Sequence, residues 1–168
     1  MHSIGDRVVY GTNGVMEILD IREESIGDVS RSYYVLSSIC SSSDSLTFVP
    51  TDNENLVSAM RPLLTRDEAM ELIRRAANPP EIQWVEANRA RTEYFKRLME
   101  SGDRLKLFSM IKAIDESGKR REAEGKKNFL TDETTKAKAE KLLYSELSIV
   151  LSVPEDQISA YIDSIEVK

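Results

Sequence analysis

The 168-residue chain has one cysteine (Cys40), one histidine (His2) and one tryptophan (Trp84). A single cysteine cannot close an internal disulfide, which fits a reducing cytoplasm. One histidine beside the terminus leaves imidazole acid–base chemistry and His/Cys zinc sites almost nothing to work with. The phosphate-cradling GxxxxGK[ST] loop, the GxSxG nucleophile elbow and the GxGxxG dinucleotide turn are all missing. Carboxylate pairs are plentiful, but they fall on charged helical faces where solvation accounts for them. The chain is therefore not expected to be an enzyme, and neither a metal nor a cofactor is expected. No stretch approaches the roughly 20 apolar residues of a membrane span, and the start MHSIGDRVVYG has no apolar signal core. A cytoplasmic protein without a membrane partner is expected.

What is present is charge, unevenly placed. The formal net charge is −6. Residues 1–60 carry three Arg and no Lys against nine acids, residues 61–127 carry sixteen Lys and Arg against twelve acids, and residues 128–168 carry four Lys against eight acids. Only the middle third is basic, and Trp84 lies within it. Modest local positive charge on an acidic chain suits brief contact with nucleic acid, assisted by a partner.

Hydrophobic periodicity divides the chain in two. In the first part the period is two. Asp6–Tyr10, Val15–Ile21, Ser32–Leu36 and Ser45–Pro50 read as strands, with Met16, Ile18 and Leu19 sharing the buried face of the second. Gly11-Thr12-Asn13-Gly14 reads as a turn, and residues 25–31 and 41–45 as polar linkers. Four or five short strands in so short a segment predict a small, strongly bent β barrel, because an open sheet of that size leaves edges unpaired. After Pro62 the period becomes about 3.6. Thr65-Arg66-Asp67-Glu68 is a capping box that opens a helix with Ala69, Leu72, Ile73 and Ala76 on one face. Pro79 and Pro80 end it. The next helix is expected from Glu81 to Ser101, stopped by Gly102. Asp103 caps a third, carrying Leu107, Phe108, Ile111 and Ile114. Residues 118–128 read as a frayed end or loop. A long helix follows from Thr131 to Leu151, and a last one begins at Pro154. The expected fold is α+β in two domains, a β module over 1–57 and a helical bundle over 66–168, joined by a linker at 58–65.

Trp84 stands between a double proline and a helix rich in Arg and Lys. A large flat apolar side chain beside phosphate-seeking cations is suited to wedging into a duplex; the same pattern also describes a core residue next to a solvated face. On a wheel for a helix that includes it, Trp84 lies within about 80° of Ala87, Tyr94, Phe95 and Leu98, the core stripe, and about 20° from Arg91. Arg91 could therefore flank the indole at DNA. Arg89, Lys96 and Arg97 point elsewhere. Lys119, Arg120, Arg121, Lys126 and Lys127 form a candidate phosphate patch, diluted by Glu116, Glu122 and Glu124.

The run GDRVVYGTNGVMEI, then YYVL, then VP resembles the Tudor-like RNA polymerase-interacting domain of CarD/CdnL-type bacterial transcription factors. That module also occurs in transcription-repair coupling factors. The segments WVEANRARTEYFKRLMESGDR, REAEGKK, AEKLLYSELSIVL and PEDQISAYI resemble the helical DNA-contacting domain of the CarD-type proteins. The resemblance implies a regulator that binds the RNA polymerase β subunit through an exposed strand of a Tudor-like barrel. It further implies that Trp84 wedges, without reading sequence, into the minor groove of promoter DNA at the upstream edge of the bubble, stabilising the open complex. Arg89, Arg91 and Lys96 fit the family pattern as DNA contacts, with Lys119, Arg120, Arg121, Lys126 and Lys127 as further phosphate ligands. On the polymerase side it points to Arg22, Glu24, Thr47, Phe48, Val49 and Pro50. Many members have an arginine where Glu24 falls, a basic residue where Phe48 falls, and paired arginines where Glu86 and Ala87 follow the tryptophan. A monomer is expected. The alternative reading is an adaptor that joins polymerase to another protein without touching DNA.

Overall fold

The computed structural model describes residues 1–166, which form two compact units divided after Leu64. In the first, strands β1 (Arg7–Tyr10), β2 (Val15–Ile26), β3 (Val29–Ser38), β4 (Leu46–Pro50) and β5 (Met60–Pro62) are joined by short turns and by one short helix, α1 (Glu54–Ser58). All pairings are antiparallel, in the order β4-β3-β2-β1-β5. The two-part α+β architecture is the one the sequence predicts. The bent barrel takes the form of an open five-stranded sheet, with α1 packed against both edge strands.

The β1–β2 hairpin closes through a single turn of 3-10 helix, Gly11–Asn13, with the Tyr10 amide donating to the Gly14 carbonyl at 3.0 Å. Gly14 has φ 83°, a value only glycine adopts without strain. In β2 the register against β3 slips between Ile18 and Asp20. Side chains alternate along a strand, so the extra residue returns Ile21 to the face that Met16 and Ile18 occupy, and Ile21 stands opposite Tyr34. Leu19, expected to share the buried face, is the residue left out and is 48% exposed. The hairpin of β2 and β3 extends well beyond the expected strands and turns at Gly27-Asp28, where Gly27 takes φ 64°. One core forms from Val8, Met16, Ile18, Tyr34, Leu36, Val49 and Met60, with Tyr10 and Val57 packed against it. Met60–Pro62 lies in the segment 58–65 read from sequence as a linker and instead pairs with β1. Asn53, which caps α1 by accepting from the Leu56 amide at 3.2 Å, was likewise not read as a helix start.

The second unit comprises α2 (Arg66–Ala76), α3 (Asn88–Ser101), α4 (Arg104–Ala123), α5 (Leu130–Leu151) and α6 (Ile158–Glu166). Ala69 and Ile73 of α2, Phe95 and Leu98 of α3, Leu107, Met110 and Ile114 of α4, Leu143 and Leu147 of α5, and Ile158 of α6 are buried. Helix boundaries follow local chemistry. Gly102 ends α3 with φ 69°, and Asp103 then accepts from the Lys106 amide at 3.2 Å to start α4. Of residues 118–128, expected to be frayed or loop, the first six continue α4. Helix α3 begins at Asn88, seven residues later than the sequence predicts; residues 81–86 form neither helix nor strand. Trp84 therefore sits on a segment outside any helix, and the wheel that joined it to α3 does not apply. An ion pair fastens the start of α4 to α5, with Arg104 Nε and Nη2 each 2.7 Å from a carboxylate oxygen of the buried Glu146.

At the start of α2, Thr65 Oγ1 accepts from the Glu68 amide at 3.2 Å and Glu68 Oε2 accepts from the Thr65 amide at 2.7 Å. Chiefly this backbone hydrogen bond holds the Glu68 carboxyl below the ordinary carboxylate range. The unfolded chain then binds the proton more readily, so stability from this group is present above its unfolded pKa and is lost as pH falls through the folded one. The urea midpoint of the wild-type helical unit should fall more steeply than that of Glu68→Gln as pH is lowered from neutrality into that acidic window. Equal slopes would show that the capping box does not carry the difference.

Candidate functional site

Trp84 is half-buried. Its ring meets Phe95 edge-on, with centroids 6.0 Å apart. The Arg91 guanidinium lies over it, with Cζ 4.7 Å from the ring centroid. Trp84 also lines a cleft of about 180 Å³ with Pro80, Ile82, Ala113, Lys112 and Arg120. Glu81 and Glu116 line the same cleft, so two carboxylates face its two cations.

Arg91 does flank the indole, but from inside the unit: its side chain is 0% exposed. Nε is 3.0 and 3.2 Å from the two Asp132 carboxylate oxygens, and Nη2 is 3.0 Å from Oδ2. Nη1 donates to the carbonyls of Val85 and Glu86, both at 3.0 Å, and Nη2 donates to Asn88 Oδ1 at 3.1 Å. A guanidinium has five N–H groups, and here five oxygens receive them. No donor remains for a phosphate, so Arg91 has an internal role in place of the DNA contact expected from sequence. The signal was legible, since Arg91 precedes Phe95 by four residues and Leu98 by seven, the spacing of a buried helical stripe.

Around Arg91 the starts of two helices are joined. Asn88 Oδ1 also accepts from Thr131 Oγ1 at 3.0 Å. Asp132 lies in the first turn of α5, where the helix dipole favours a carboxylate. Phe129, just before α5, receives Arg91 at 4.8 Å and Arg121 at 4.0 Å, both guanidinium carbon to ring centroid. Arg121 Nε donates to the Lys127 carbonyl at 2.7 Å. A continuous series of cation–ring contacts thus runs Trp84, Arg91, Phe129, Arg121. Asn88, Phe129 and Asp132 were not singled out from sequence; Phe129 and Asp132 lie more than 40 positions from Trp84 and give no local sign of meeting it, and Asn88 was hidden because the helix was expected to start at Glu81.

The remaining cations are distributed more widely. Arg89 and Lys96 are exposed on α3, seven residues apart and so on one face. Arg120 is exposed and reaches the Trp84 cleft; Lys119 is exposed and lines a neighbouring cavity of about 480 Å³ with Lys136, Glu140 and Tyr144. Arg121 is half-buried. Lys126 pairs with Glu124 at 2.9 Å, and that lysine holds the Glu124 carboxyl below its ordinary range. Lys127 is exposed. Thus Arg120, together with Lys112, shares the cleft of Trp84, while Arg89, Lys96, Lys126 and Lys127 are not among the residues lining it.

In the first unit the polymerase-side residues fall in two places. Arg22 is exposed on β2, 3.4 Å from Asp20 and 3.7 Å from Glu24, in an ion-pair cluster at the surface. Thr47, Phe48, Val49 and Pro50 are in β4, which pairs with β3 alone. Val49 points into the core and is 0% exposed, whereas Phe48 is 44% exposed and meets Tyr33 edge-on at 6.3 Å. Leu46 on the same strand is 45% exposed. An edge strand with an open backbone and exposed apolar side chains is a template for strand addition.

Residues 2–64 match the family model of the CarD-like/TRCF RID domain, a match that ends where the first unit ends. The match spans all but the first residue of the first unit and shows what that unit is similar to; it does not extend into the helical unit. No curated protein matches the chain. Among the described residues, no helix is long and apolar enough to cross a membrane.

Removing one partner of a buried ion pair strands the other without water. Asp132→Ala should destabilise the helical unit by about 3–5 kcal/mol, read as a shift in the urea unfolding midpoint by circular dichroism. A loss below about 1 kcal/mol, the range of exposed pairs, would show that Arg91 finds another counter-charge.

Proposed function

We propose that the chain regulates transcription by holding RNA polymerase with its first unit and promoter DNA with its second. Strand β4, from Leu46 to Pro50, adds to an edge strand of the polymerase β subunit, with Phe48 packing beside the new strand and Arg22 and Glu24 at its periphery. Trp84 then meets the minor groove at the upstream edge of the bubble and slows its collapse. Arg120, Arg89, Lys96, Lys119, Arg121, Lys126 and Lys127 supply phosphate attraction that sets position without reading sequence. The observation that carries this reading is the placement of Trp84: a half-exposed indole on a segment outside any helix, supported from beneath by Arg91 and Phe95 and next to a cleft lined by Lys112 and Arg120 with Glu81 and Glu116.

The energetics suit a tethered protein. Unstacking a base step costs a few kcal/mol, which a wedge recovers only where the duplex is already distorted. A tether raises local concentration to roughly mM, so intrinsic DNA affinity can be weak and a net charge of −6 is no obstacle. A second reading, an adaptor whose helical unit binds protein and not DNA, draws on Glu116 in the cleft and on the packing of Trp84 against Phe95.

Two variants separate these readings. Phe48→Glu should abolish capture of the protein by RNA polymerase while both units remain folded; retained capture would remove β4 from the interface. Trp84→Ala should keep polymerase binding and shorten open-complex lifetime roughly 5- to 100-fold, the range of one aromatic–base stack. A folded Trp84→Ala variant that prolongs the lifetime as well as wild type does would leave the adaptor reading.

A further inference from the structure

The indole stands on a segment with no regular structure of its own: residues 81–86 have neither ladder nor helical hydrogen bonds. A large ring on such a segment would ordinarily sample many orientations, and a group that must enter a duplex at one step loses effectiveness with each of them. Two successive carbonyls of this segment, Val85 and Glu86, are both held by one nitrogen of Arg91. The same guanidinium lies over the indole at 4.7 Å and over Phe129 at 4.8 Å. Asp132 in turn fixes the guanidinium through both carboxylate oxygens. We propose that Arg91 is a positioning residue for Trp84: it sets the path of the segment that carries the indole and the plane of the ring, and itself never meets a ligand.

The geometry needs arginine specifically. A lysine at this position keeps the charge and can pair with Asp132. It has no planar fork to reach a carboxylate and two carbonyls at once, and no flat face to lie over a ring. Arg91→Lys therefore separates the ion pair, which supports the fold, from the fork and the stack, which orient Trp84. The consequence at DNA rests on the function proposed above; the orientation of the indole does not, because it can be read in the isolated protein.

Trp84 is the only tryptophan in the chain, so indole fluorescence of the 168-residue chain reports on this one residue. At a temperature where circular dichroism shows Arg91→Lys folded, its emission should move to longer wavelength, its acrylamide quenching constant should rise at least twofold and its anisotropy should fall. Arg97→Lys, a change at an exposed position on the same helix, should match wild type. Asn88→Ala, which removes one acceptor of Arg91 from an exposed position, should shift quenching in the same direction by a smaller factor. A purely structural Arg91 would lower the melting temperature and leave the folded-state indole signals unchanged; that result overturns the proposal. Should Arg91→Lys fail to fold, unchanged quenching in folded Asn88→Ala overturns it instead. In the promoter assay, Arg91→Lys should shorten open-complex lifetime as Trp84→Ala does. If Trp84→Ala has no effect there while Arg91→Lys still loosens the indole, the DNA reading fails and the positioning role stands.

Discussion

The helical unit is organised around one buried cation. Arg91 is removed from water, and its charge is balanced by a single carboxylate, Asp132, from a helix that begins some forty residues further along the chain. A charge in that setting is tolerated only when its hydrogen-bonding capacity is met, and here five oxygens meet it. The requirement fixes several things together. It brings the first turns of α3 and α5 side by side, delays the start of α3 to Asn88, and seats Phe129 and Trp84 against the guanidinium. Through Phe129 it also reaches Arg121 and the turn that contains Lys126 and Lys127. The Arg104–Glu146 pair does similar work between the start of α4 and the middle of α5. Between these two links Lys136 of α5 also pairs with Asp115 of α4, and apolar packing fills the remainder.

The two units divide the chemistry. The first offers backbone: an edge strand with an open side, small in area, apolar at Leu46 and Phe48, with its charges compensated locally around Arg22. The second offers one oriented aromatic ring with scattered cations around it. Neither resembles a tight autonomous binding surface. An exposed strand edge gives register and modest affinity, and a half-buried ring with a few phosphate contacts gives little binding to intact duplex. In the proposed function, joining them in one chain reinforces both by effective concentration, so the acidic net charge is compatible with the proposed DNA contact.

Local chemistry was the legible part of this fold. The capping box at Thr65, the Gly102 stop followed by the Asp103 cap, the Gly11–Gly14 turn and the apolar stripes of α2 and α4 all depend on residues within a few positions of one another, and each is found where the pattern puts it. What escaped depends on distant partners. EIQWVEA reads as helix because nothing within it forbids one; the carbonyls that would have accepted from the next turn are taken by Arg91 instead. Leu19 reads as core until the register slip against β3 is seen. Met60–Pro62 is too short to announce itself as a strand and becomes one by pairing with β1. At the site, Trp84 was conspicuous as a lone indole in a basic stretch. Arg91 was noticed for its charge, and its burial followed from a helical spacing that charge concealed.

The central claim is that Trp84 faces promoter DNA when the protein is bound to RNA polymerase. A photo-reactive phenylalanine analogue placed at position 84, irradiated in the complete complex with an open promoter, tests it most directly. The account predicts crosslinks to promoter DNA confined to a few nucleotides at the upstream edge of the bubble, and none to DNA when polymerase is left out. Crosslinks to polymerase alone, with the protein demonstrably bound, would contradict it.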